Sequence, residues 1–158
     1  MFRKRHISSV SAVAFCVFVL APAAGAATKV SATTSLLQAV NRVRVAHHLR
    51  PLRVDATLVR AARSHSAEML AGNYFAHGDF HGRMVAFHVV GPKAGENLAW
   101  GNGSYAQPAS IVAEWLASPE HRANLLRPGW TRIGIGLVRG TFLGNGGSTV
   151  VTADFAGR

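Results

Sequence analysis

The sequence predicts an α+β domain in which helices cover a sheet, and three observations carry that prediction. Apolar residues recur at helical spacing through the first half of the chain, the period switches to two after Pro128, and a turn signal, Asn145-Gly146, separates two stretches of strand character near the end. There is no internal repeat and no long low-complexity segment.

A short polar lead-in over 27–34 precedes a first amphipathic helix, on which Leu36, Leu37, Val40, Val43 and His47 share a face. Arg50-Pro51-Leu52 ends it, and Asp55 suits the N-cap of a second helix whose Leu58, Ala62, His65 and Met69 form one stripe until Gly72 stops it. Residues 73–95 are irregular and rich in Gly and His, with room for a short helix at about 83–88. Pro108 fits the first position of a third helix with Ile111, Val112, Trp115 and Leu116 on its apolar face. Ser118 then caps a short helix opened by Pro119, where Glu120 faces the positive end of the dipole. Ile133, Ile135 and Leu137 alternate with Gly134, Gly136 and Val138 as a strand, and 149–155 reads as its antiparallel return.

The N-terminus carries Arg3, Lys4 and Arg5, an apolar run over about 10–20 and Ala24-Gly25-Ala26, the pattern of a cleaved secretion signal. The run is shorter than the roughly 20 residues that span a bilayer. Residues 1–26 are therefore expected to be removed on export, leaving the lead-in and one domain over 35–158, with no transmembrane segment after cleavage. Cys16, the single cysteine, goes with the signal, so the mature domain forms no internal disulfide. The whole chain has 17 Lys and Arg against 7 Asp and Glu; without Arg3, Lys4 and Arg5 the balance is 14 against 7. That excess favours anionic envelope polymers or lipid heads. The arginines are scattered, without a run of four or interleaved aromatics, which argues against a specific nucleic-acid site.

Chemistry is sought where histidines meet the few acids. His77 and His81 lie in the irregular segment, Glu96 follows in Gly95-Glu96-Asn97-Leu98-Ala99, and Glu114 and His121 bracket the turn after the third helix. Imidazoles and carboxylates suit zinc or a similar divalent ion, although no H-E-x-x-H helix sets two ligands one turn apart. Plainer readings stand beside these. His65 reads as a hydrogen-bonded core histidine, His47 and His48 as the end of the first helix, His81 and His88 as exposed, and Glu114 equally as a solvated helix residue. Glu96 and Asn97 equally suit a turn held by its own backbone, and Trp100 and Trp115 read as core rather than as a ligand platform. Gly101-x-Gly103 is a flexible connection rather than a dinucleotide loop, and neither a G-x-S-x-G elbow nor a cysteine nucleophile exists in the mature part.

Pro51-Leu52 with Asp55, Ala62-x-x-His65-Ser66, Phe75-Ala76-His77, Gly95-Glu96-Asn97-Leu98-Ala99, Trp115-Leu116-x-Ser118-Pro119-x-His121-Arg122-x-Asn124-Leu125-Leu126 and Ile133-Gly134-Ile135-Gly136 occur in this order. This series, over nearly all of 36–155, resembles the bacterial branch of the CAP superfamily, whose domain is also called SCP and which includes cysteine-rich secretory proteins, venom antigens and plant pathogenesis-related proteins. The resemblance implies a three-layer α-β-α sandwich with a mostly antiparallel central sheet. It also implies a cleft that in many members holds two histidines and two glutamates able to bind a divalent ion, zinc first among them. His77 and Glu96 match the first histidine and glutamate, whereas Ser118 and Gly129 stand where eukaryotic members have the second glutamate and histidine. His121 is the natural candidate to complete the cleft, with Glu114 as a weaker one.

The function this implies is a secreted, monomeric binding module for a lipid, a sterol-like molecule or an envelope polymer, rather than an enzyme. The alternatives are a metal-dependent hydrolase, with His77 and His121 holding the ion and Glu96 as general base, and a basic surface protein that binds anionic envelope polymers.

Overall fold

The computed structural model describes residues 31–158; the expected signal at 1–26 lies outside them. The elements in chain order are α1 (Ala32–Ala46), β1 (Arg53–Val54), α2 (Ala56–Gly72), α3 (Phe80–Ala86), β2 (Lys93–Gly101), a 3₁₀ turn (Gly103–Ala106), α4 (Pro108–Ala117), α5 (Pro119–Leu125), β3 (Trp130–Phe142) and β4 (Asn145–Gly157). The strands form one sheet in the order β1-β3-β4-β2. β3 and β2 both pair antiparallel with β4, and only the two-residue β1 runs parallel, to β3. Helices cover both faces, so the expected α-β-α sandwich is what the chain forms, with a mixed, mostly antiparallel sheet.

On one face α1, α4 and α5 bury Leu36, Val40, Ile111, Trp115 and Leu125 against Ile133, Val151 and Phe155. On the other, α2 lies so close to β3 that a Cβ at Gly134 would meet the Leu58 and Val59 backbone, and one at Gly136 the Ala62 and Arg63 backbone. The alternation of isoleucine and glycine is thus a division of labour: isoleucines fill the first face, and glycines let a helix backbone touch the second.

Caps explain where the helices begin. Ser31 accepts from Thr34 N–H, so α1 starts at Ala32 and takes in the last three residues of the expected lead-in. Asp55 accepts from the N–H groups of Thr57 and Leu58, as expected of the α2 cap. Burial opposes its charge, but these bonds and Arg132, 2.5 Å from Oδ2, outweigh that cost and hold its pKa at about 2. Asp79, accepting from Gly82 N–H, starts α3 at Phe80 rather than near Arg83. Ser118 occupies the N-cap of α5 without a side-chain bond. The β3–β4 reversal falls at Leu143-Gly144, both with positive φ, one step before the Asn145-Gly146 signal. Asn145 begins β4 and donates to Leu143 O, while Asn73, the left-handed cap of α2, accepts from Leu143 N–H.

Candidate functional site

β2 is the strand whose irregular glycine-flanked sequence hid it, and it carries the site. Glu96 lies in mid-strand directly opposite Asp154 of β4, not in a turn. Asn97 is fully buried and donates to His121 O at 3.0 Å, which ties β2 to α5. Asn124 donates to Glu96 O at 2.9 Å, and Trp115 Nε1 to Leu98 O at 2.8 Å. These side chains from α4 and α5 cover the outer strand of the sheet. Gly95 is required at its place because a Cβ there would stand 2.9 Å from the Trp130 ring.

Asn97 turns toward α5, so Glu96, its neighbour in the strand, turns to the opposite face, under α3. There its Oε1 meets His77 Nδ1 at 2.7 Å and its Oε2 is bound by Arg83 Nη2. The carboxylate is 2% exposed and the His77 side chain 55% exposed, so a buried charge orients an imidazole at the surface. Arg83 also donates to His77 O at 3.4 Å and lies over the Phe80 ring. Asp154 is fully buried, and neither of its oxygens receives an N–H or O–H from a neighbour. The residue directly opposite it in the strand pair is Glu96. Burial, and after it the Glu96 charge, push Asp154 well above the usual carboxylate range.

His121 is half-buried and comes from the layer across the sheet; burial first, and then the neighbouring His77, lower its pKa, so its imidazole is neutral at pH 7. Glu114 is exposed on α4. Both line an open groove of about 560 Å³ beyond the β2 edge, floored by Leu98, Ile111 and Trp115 and walled by Phe75, Trp100 and Tyr105. Phe75, Trp100 and Tyr105 are 40, 37 and 66% exposed, so Trp100 is groove wall rather than core, while Trp115 is core as expected. Phe75 and Trp100 both pack edge-on against Phe142, which fixes the wall.

The structure therefore brings His77 and Glu96 together, sets His121 near them and leaves Glu114 apart on the groove. Among the described residues no three His, Cys, Asp or Glu side chains gather into a metal-holding group, and the donor set at Glu96 does not fit a divalent ion because a guanidinium already sits on it. His65 is the core histidine expected, with Nε2 3.0 Å from Ala76 O. His81 and His88 are exposed. Sequence reasoning missed Arg83 and Asp154. A charged residue inside the apolar return strand was the available signal for Asp154; Arg83 carried none beyond its place in the His-rich segment.

The fold is a helix-covered mixed sheet with a groove at its β2 edge. Residues 37–155 match the CAP family, described as the cysteine-rich secretory protein family, and the chain belongs to it. The Bacillus subtilis (strain 168) protein YkwD is 36% identical over 108 residues, 65% of this chain and 41% of that protein. The membrane protein YlbC of the same organism is 35% identical over 109 residues, 66% of this chain and 31% of its own length. The chain thus spans less than half the length of these curated relatives. Among solved structures, an extracellular protein containing an SCP domain from Bacillus anthracis aligns with a TM-score of 0.68 at 27% identity, over 80% of this chain and 40% of that one. An outer surface protein from Borrelia burgdorferi shares the fold at a TM-score of 0.61 and 22% identity, covering 78% of this chain and 90% of that one.

Proposed function

We propose that this CAP domain is an exported binding module whose groove takes an amphipathic ligand, a lipid or sterol-like molecule. The observation that supports this reading best is the groove itself. Its volume of about 560 Å³ suits a small ligand, its lining is largely apolar, and α4 and α5 bring Glu114, Ser118 and His121 to it, with Asn102 and Asn145 as its other polar side chains. An apolar body would lie along Trp100 and Tyr105 with a polar end toward His121. Export is supported by the N-terminal pattern and by the extracellular or outer-surface names of two structural neighbours. No helix among the described residues is long and apolar enough to cross a membrane.

The test is titration of the mature protein with a sterol and with a long-chain fatty acid, following tryptophan fluorescence. Saturable binding is expected, weakened about tenfold or more in Trp100→Ala, the loss of one large aromatic contact, with an unchanged melting temperature. A second reading, a basic surface protein for anionic envelope polymers, rests on the charge excess of the chain. It replaces the first if neither probe binds while an anionic polymer binds with steep salt dependence and indifference to Trp100→Ala.

A further inference from the structure

The side chains around Glu96 are arranged as around a cation, and a cation is there. We propose that Arg83 is the resident cation of this cleft, its guanidinium holding the place beside Glu96 that a divalent ion would need, so that the His77–Glu96 pair is a metal-independent site.

Three observations carry this. First, coordination: both oxygens of Glu96 are engaged, one by His77 and one by Arg83, so a metal would have to displace a hydrogen-bonded partner to reach either. Arg83 is held for that role, with its side chain only 8% exposed, its guanidinium over Phe80 and its Nη1 on His77 O. A guanidinium keeps its proton in proteins and presents a rigid fork to a carboxylate, so it is a permanent occupant.

Second, charge: the Glu96 carboxylate is paired with the Arg83 guanidinium. The Glu96–Arg83 pair is neutral as it stands. A divalent ion would add two positive charges beside a guanidinium in a water-poor site, where such repulsion is strong.

Third, the family's second pair of ligands is not rebuilt here: Ser118 and Gly129 offer no carboxylate or imidazole, Glu114 is exposed on α4, and His121 comes from α5 across β2. Arg83 is thus a positioning residue. With Glu96 it keeps His77 Nδ1 directed inward, which leaves Nε2 as the nitrogen available to whatever enters the cleft.

The experiment uses the mature protein dialysed against a chelator, titrated with zinc and separately with calcium by calorimetry, beside Glu96→Gln. The expected result is the same heat from both proteins, whether none or a weak heat from exposed histidines. One-to-one zinc binding in the wild type that falls tenfold or more in Glu96→Gln overturns the proposal. Should Glu96→Gln not fold, the wild type alone decides through its histidine nitrogen NMR signals. One equivalent of zinc is expected to leave His77 Nδ1 unmoved, and a zinc-dependent shift of that signal overturns the proposal.

Discussion

The two faces of the sheet solve the burial problem in opposite ways. The face under α1, α4 and α5 is filled by large apolar side chains, with Trp115, Leu36, Ile133 and Phe155 almost wholly buried. The face under α2 and α3 is tighter and more polar: helix backbone rests on glycine, and His65, Ser66, Thr152, Asp154 and Glu96 are all buried there, with Ser66 bonded to Thr152 and Glu96 to His77 and Arg83. Burying apolar area stabilises in proportion to area, whereas buried polar groups yield little net stability and are costly when left unpaired. The first face is therefore the source of most of the stability, and the second is where the domain can hold an oriented acid-base cluster next to solvent.

The sharpest way to break this contrast is to fill the glycine face. The double variant Gly134→Ala, Gly136→Ala puts two methyl groups against α2 backbone that no rotamer change can move, and on the order of 5 kcal/mol should be lost. Denaturant titration should find it largely unfolded; a loss under about 1 kcal/mol would show that α2 shifts freely and that the close approach is incidental.

Trp115→Ala tests the opposite face. It removes a fully buried indole and its bond to Leu98 O, and should cost about 3–5 kcal/mol. The same titration should show this variant folded but weakened, with no collapse of the His77–Glu96 pair across the sheet.

The smallest expected effect has the opposite sign. Asp154 has its folded pKa raised above the unfolded value of about 3.9, so the folded state binds more protons and stability falls as pH rises from that value toward the folded pKa. Asp154→Asn keeps the shape and cannot ionise, and should gain about 1 kcal/mol at pH 7 while flattening that decline. Thermal melts between pH 4 and 8 measure it. A destabilised Asn variant would mean that Asp154 is ionised in the fold.

Much of the fold was legible because its signals are local. Asp55 caps α2 by its own reach, Pro108 opens α4, and the Ile-Gly alternation of β3 repeats with the period of a strand. β2 was not legible: its Glu96 and Asn97 look like loop chemistry, and they are tolerable in a buried strand only because Arg83, His77 and His121 O meet them from elsewhere in the chain. Half of the candidate site followed the same rule. His77 and Glu96 were recognisable by motif, whereas Arg83 and Asp154 became part of it only through strand register and the seat of α3 over β2 and β4.

The sequence by itself determined the Asp55 cap of α2, the Pro108 start of α4, the β3–β4 hairpin and the family motifs. Tertiary structure alone decided that the cation at that acid is an arginine, that Trp100 faces the groove, and that Glu114 stands apart. The reason is physical: caps and periodicity act within a few residues, but the neighbours that settle a buried charge are chosen by which strand lies beside which.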